Sequence, residues 1–328
     1  NLIGCGRTSE GGRPHAEMNA LNSLISSAKG GIAFVTLEPC AHNTTTPSCA
    51  ELLIKSGVKK VYISILDPDK RTAGKGVELL KQAGIKVFVG LLAENSKEIN
   101  SGYLKRIKLG LPLVSLKIAA SMDGKIATLK GQSKWITGKI ARIHGHTLRA
   151  SYDVILSGIN TILKDNSKLD CRIKGLKNQS PVKVVVDSKL SIQFSSNVLK
   201  NIKKIPLIIW TSKFSNNNKK LKLRKLGVDI IELPKNKDNL LSLNYGMKDL
   251  SQRGYNSVLV EGGSEIYSSL IKNKLVDKIY FYRSGTIIGG DGLSSIASYQ
   301  LKQLNLAKNF NIISTEIIDG DILELWKK

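Results

Sequence analysis

His15-Ala16-Glu17, Pro39-Cys40 and then Cys49 form the stretch from which the rest of the chain is read. Zinc takes imidazole nitrogen and thiolate sulfur, and a catalytic zinc keeps three protein ligands and one open position. These residue types predict a Zn2+ site with His15, Cys40 and Cys49 as ligands. Glu17, two residues beyond His15, is close enough to reach a bound water without ligating the metal, and is the expected catalytic proton carrier. Each piece alone is weak. Two buried thiols and a carboxylate favoured by a helix dipole would account for them without a metal. Their ordered combination is specific.

The text around the motif is that of a layered α/β sheet. Residues 2–6 are apolar and predict a strand. Pro14 stands where a helix begins, and Ala16, Ala20, Leu21, Leu24 and Ile25 give an apolar face to a helix over 15–28. Strands are expected over 32–37, 61–66 and 85–89, and helices over 49–55 and 77–83. The ligands then fall at helix starts and strand ends, where such sheets carry their sites. An H-x-E followed by P-C and a second Cys is the arrangement of zinc deaminases, in which the Glu moves protons during attack on a ring carbon. Deaminases of nucleic acids use P-C-x-x-C, whereas residues 41–48 separate the two cysteines here. That longer loop carries His42 and Thr44-Thr45-Thr46, and would line a pocket with polar groups.

The chain has 328 residues, enough for two domains, and a net charge of +24. Lysine is spread throughout and aromatics are 5%, too few for base-stacking platforms, so no nucleic-acid partner is expected. A positive field also suits phosphorylated small molecules. No run approaches the roughly 18 apolar residues of a membrane span. The four cysteines read as thiols or ligands rather than a disulfide framework, which fits the cytoplasm. A tRNA or other nucleic-acid deaminase is the competing enzyme reading. A non-catalytic, zinc-stabilised binding protein is the competing reading from another class.

Gly110-Leu111-Pro112 is the expected boundary between a first domain, 1–110, and a second, 111–328. The second domain opens with a strand over 113–120 and a tight turn at 122–125. A helix is expected over 139–150 and a further helical turn from Asn160. Strands follow over 154–157, 182–186, 205–210, 228–233, 257–260, 279–282 and 322–326, with a helix over 265–272. Glu261-Gly262-Gly263-Ser264 ahead of that helix is a candidate phosphate cradle, although no G-x-G-x-x-G fingerprint is present.

GGRPHAEMNAL and VTLEPCAHNTTTPSCAELL resemble the deaminase half of the bifunctional riboflavin-biosynthesis deaminase/reductase family. SLKIAASMDGKIA, QSKWITG, HTLRASYDVILSGINTILKDN, VVVDSKL and LVEGGSEIYSSLI run in the order of that family's reductase half. The resemblance implies a cytidine-deaminase-like α/β/α layered domain followed by a dihydrofolate-reductase-like α/β domain, with Zn2+ and NADPH as cofactors. It implies a phosphorylated pyrimidine substrate, deaminated and then reduced at its ribose to a ribityl chain, and a homo-oligomer. On the substrate side it implies His42, Lys117, Ser133, Arg149, Leu169, Arg172 and Glu261, with Arg149 and Arg172 suited to the phosphate. On the cofactor side it implies Ala119, Trp135, Thr137, Thr161, Asp165, Ser188, Gly263 and Ser264. Three departures stand out. The basic residue of the family's G-[KR]-T-P-P-C loop is Thr45 here. The family's A-D-[DN]-P-x-L-T-[VC]-R reads with Ser167 for Pro and Asp170 for Thr, while Cys171 reads as packing. The family's first helix and N-P-x-V-G strand have no counterpart, so the chain is expected to be N-terminally incomplete, with reductase activity alone as a further alternative.

Overall fold

The computed structural model describes residues 1–42 and 47–328, and its contacts divide the chain into two compact units, Asn1–Leu109 and Gly110–Lys328. Thr45 lies outside the described residues.

The first unit is built on three parallel strands, β1 (Ile32–Val35), β2 (Lys60–Ile63) and β3 (Lys86–Val89), in that order. α1 (Ala16–Asn22) precedes β1, and α2 (Cys49–Lys55) and α3 (Lys75–Gln82) connect the strands. Strand period puts Val61 and Ile63 on one face, where Ala50, Leu53 and Leu80 bury them completely or nearly so. The opposite face carries Phe34, Tyr62 and Phe88, aligned by register and stacked at 5.1 and 4.8 Å. Ser48 caps α2, its hydroxyl accepting the Glu51 N–H at 3.2 Å.

Residues 2–6 are not a strand. Their backbone lies against α1: the Ile3 carbonyl accepts the Ile25 N–H at 3.0 Å, and the Ser23 hydroxyl takes the Cys5 N–H at 3.2 Å. Gly4 and Gly6 permit this approach, since a Cβ at Gly6 would sit 2.4 Å from the Ala16 carbonyl oxygen. The same contacts end α1 at Asn22 rather than at 28, because Ser23 turns the chain toward Cys5. Two helices, α4 (Ala93–Ile99) and α5 (Ser101–Leu109), occupy text whose charge hides their periodicity. The Tyr103 hydroxyl donates to Asp67 at 2.9 Å and ties α5 back.

The second unit has a nine-stranded sheet. In chain order its strands are β4 (Leu113–Ala120), β6 (Val154–Gly158), β7 (Val182–Val186), β8 (Leu207–Thr211), β9 (Asp229–Glu232), β10 (Ser257–Glu261), β11 (Lys278–Arg283), β13 (Asn311–Ile318) and β14 (Asp321–Lys327). A small ladder joins β5 (Lys125–Ala127) to β12 (Leu293–Ser294). The spatial order is β13-β14-β11-β4-β10-β6-β7-β8-β9, antiparallel at β13/β14 and β14/β11 and parallel elsewhere. The helices are α6 (Lys139–Ser151), α7 (Ile159–Asp165), α8 (Asn217–Lys225), α9 (Leu243–Gln252) and α10 (Ser264–Lys272). Continuous apolar runs such as Val154–Gly158 sit at the sheet centre, buried on both faces as parallel strands are. Among the described residues, no helix is long and apolar enough to cross a membrane.

Candidate active sites and family

In the first unit His15 is the N-cap of α1, Cys40 follows the turn after β1, and Cys49 opens α2. Three chain segments thus bring His15 Nδ1 to 3.2 Å from Cys49 Sγ and 3.6 Å from Cys40 Sγ. All three ligand atoms lie within 4.8 Å of one another, and both sulfurs are buried. The first amide of α2, Cys49 N–H, donates to Cys40 Sγ at 3.3 Å. Two thiols and an imidazole converging on one point fit a borderline-soft, tetrahedral ion. Hydrogen bonding from Cys49 holds the Cys40 thiol well below its usual range, and Cys49 is pushed up in return. The Cys40 hydrogen bond raises His15. Glu17, half-buried in the first turn of α1, is pushed up by burial, as suits a group that must both take and give a proton. His42 is half-buried with Nδ1 3.5 Å from Thr72 Oγ1.

Glu38 was not legible as a site residue. It is buried just ahead of Pro39-Cys40, and its carboxylate accepts the N–H groups of Asp67 (3.1 Å), Gly74 (3.0 Å) and Val77 (3.1 Å). It supplies the cap that Gly74 cannot, and locks the cysteine-bearing turn to the start of α3.

In the second unit one cleft of ≈ 1430 Å³ runs across the C-terminal ends of the parallel strands. Lys117, Ala119, Ser133, Trp135, Arg149, Thr161, Asp165, Leu169, Arg172, Ser188, Glu261, Gly263 and Ser264 all line it. Thr137 does not: it is buried, and its carbonyl accepts Arg142 at 2.7 Å. Trp135 is 68% exposed and its indole lies 4.2 Å from the Arg142 guanidinium. At Gly262 and Gly263 φ is +81° and +92°, and a Cβ on Gly262 would strike Thr161 at 2.7 Å. Only glycine permits this turn at the head of α10.

Arg149, expected on the substrate side, has its guanidinium engaged by protein groups. Its Nε and a terminal nitrogen donate to the two oxygens of Glu261, each at 2.7 Å, and the other terminal nitrogen donates to the Asp170 carbonyl at 2.9 Å. Burial alone would raise Glu261, but Arg149 overcomes it and holds the carboxyl at about 2. Lys117 is pushed down by burial, partly offset by Glu261, and its ammonium lies 5.2 Å from the Tyr282 ring centre. Arg172 remains exposed, its Nε donating to His146 Nε2 at 3.2 Å. Burial, with Arg149 and Arg172 beside it, lowers His146 to about 4, so the imidazole is neutral and accepts.

Residues 2–65 match the cytidine and deoxycytidylate deaminase zinc-binding region, and residues 112–323 match the RibD C-terminal domain. The riboflavin biosynthesis protein RibD of Bacillus amyloliquefaciens is 40% identical over 297 residues, 90% of this chain and 79% of the relative. The chain belongs to the RibD family. The structure of RibD from Acinetobacter baumannii superposes with a TM-score of 0.88 at 31% identity, covering 100% of this chain and 89% of that one. A diaminohydroxyphosphoribosylaminopyrimidine deaminase/5-amino-6-(5-phosphoribosylamino)uracil reductase from Thermotoga maritima gives 0.82 at 32% identity, covering 96% and 85%. As a RibD-family protein, the chain is a bifunctional deaminase/reductase of riboflavin biosynthesis. A cytidine-deaminase-like domain is followed by a dihydrofolate-reductase-like one, with zinc as the cofactor of the first.

Proposed function

We propose that His15, Cys40 and Cys49 hold the zinc of the deaminase and that Glu17 is its proton carrier. The substrate is 2,5-diamino-6-(5-phosphoribosylamino)pyrimidin-4(3H)-one. The carrying observation is the convergence of one imidazole and two buried sulfurs beside a half-buried carboxylate. Bound there, zinc acts as a Lewis acid and lowers the pKa of water. Glu17 takes the proton that water releases as its oxygen adds to the amino-bearing ring carbon. It then returns that proton to the departing nitrogen, and ammonia leaves. His42 faces the substrate from the loop.

The cleft of the second unit binds the deaminated product beside NADPH, which supplies a hydride to C1′ of the ribose. The ring opens as that bond to oxygen breaks and a proton is taken up, giving 5-amino-6-(5-phosphoribitylamino)uracil. Lys117 and Glu261, opposite charges in adjacent strands, bracket the sugar. Arg149 orients Glu261, and exposed Arg172 takes the phosphate. Ser133 and Leu169 complete the substrate side. Ala119, Trp135, Thr161, Asp165, Ser188 and the Gly263-Ser264 turn hold the cofactor.

The working protein is a cytoplasmic homo-oligomer that does not bind nucleic acid. Light scattering giving a monomer mass, or salt-sensitive RNA binding, would contradict those parts. The residue assignments are tested by zinc content: about one ion per chain, lost in Cys40→Ser and Cys49→Ser. A metal-free wild type with full deaminase activity would overturn the first assignment.

A further inference from the structure

The ladder between β4 and β10 ends where the reductase centre begins. Lys117 and Glu261 are register partners in those parallel strands, and both side chains reach the cleft. Immediately after Glu261 the backbone swings into the left-handed region at Gly262 and leaves the sheet. A strand that departs there strands one donor and one acceptor, the Gly262 N–H and the Lys117 carbonyl. Both are taken up by a single side-chain atom. The Tyr267 hydroxyl, carried back on α10, accepts from Gly262 N–H at 2.6 Å and donates to the Lys117 carbonyl at 2.6 Å. Tyr267 is 2% exposed within the main core, so neither bond is shared with solvent. Burial pushes its phenol up, which keeps the proton it must donate.

We propose that Tyr267 is a positioning residue of the reductase: its hydroxyl is the missing rung that fixes Lys117 relative to Glu261 across the mouth of the β4/β10 pair. Residue 267 touches no reacting atom. It acts through the Lys117 carbonyl and through the Gly262 N–H that follows Glu261, and it holds the Gly262 turn against Thr161 at the same time. This rests on the reading of Lys117 and Glu261 as reductase-centre residues.

The test is Tyr267→Phe, which keeps the ring and removes only the hydroxyl. The reductase kcat is expected to fall on the order of tenfold to a hundredfold, as displaced reacting groups cost. KM for NADPH and for the deaminated pyrimidine should stay within about twofold, because both hydrogen bonds of the hydroxyl go to backbone groups. Deamination by the same preparation should be unchanged. A merely structural role would lower thermal stability with kcat intact, and would overturn the proposal. Repeating the change in a Lys117→Ala background separates the two ideas. If Lys117→Ala has full reductase activity, the site reading fails; if it is impaired and Tyr267→Phe adds its full cost again, the positioning role fails. Should the phenylalanine protein not fold, amide exchange in the parent decides. Gly262 N–H is expected to be protected like the β10 core, and rapid exchange would overturn the bridge.

Discussion

Glu17 and Glu261 are both half-enclosed carboxylates, and their neighbours push them in opposite directions. Glu17 is raised by burial, which the charge of His15 and a hydrogen bond with Cys49 only partly offset. Glu17→Gln should keep zinc and lose deamination by about 10²–10⁴-fold, the range for a general acid–base, with NADPH-dependent reduction of the deaminated substrate intact. Metal analysis and the two assays check this. Glu261 is clamped by Arg149 and stays charged. Arg149→Met leaves that carboxylate buried without its cation, and should cost about 3–5 kcal/mol in denaturant unfolding. The pH dependence has a definite sign. Glu261 is depressed from 4.5 to about 2, so the pair's stabilisation is present above 4.5 and is lost as pH falls through that interval. The parent should lose stability there on acidification, and Arg149→Met should lose less.

At the scale of elements, the turn holding Cys40 is only as firm as its anchor. Glu38 gathers three backbone donors from the start of α3 and the loop before it. Glu38→Ala strands those buried N–H groups, at about 1–3 kcal/mol each, and should speed zinc loss to a chelator while leaving reductase kcat unchanged. Gly76 makes the approach possible, since a Cβ there would lie 2.1 Å from the Pro39 carbonyl oxygen. The cluster at this site was legible because residue type and order survive in the text: the structure brings His15, Cys40 and Cys49 together in the combination the motif suggests. Central strands were legible too, since Leu113–Ala120 and Val182–Val186 are apolar runs bounded by turns. Residues 2–6 misled because an apolar run says nothing of its hydrogen-bond partner, here a helix end. α4 and α5 were hidden by charge. Glu38, Tyr267 and the closed fork of Arg149 were not legible at all, because each depends on which distant backbone or carboxylate it meets.

At the scale of the molecule, the zinc cluster and the cleft share no residue among the described ones. The zinc cluster draws only on Asn1–Leu109, and every residue lining the reductase cleft falls within Gly110–Lys328. Removing zinc should therefore abolish deamination and leave reduction of the deaminated pyrimidine untouched. The most direct test gives the Glu17→Gln protein, with NADPH, first the diaminopyrimidine substrate and then its deaminated product. NADPH oxidation is expected with the second only, while the parent oxidises NADPH with either. Loss of both reactions in a folded Glu17→Gln protein, or deamination that survives the change, would contradict two independent centres with Glu17 as the proton carrier of the first.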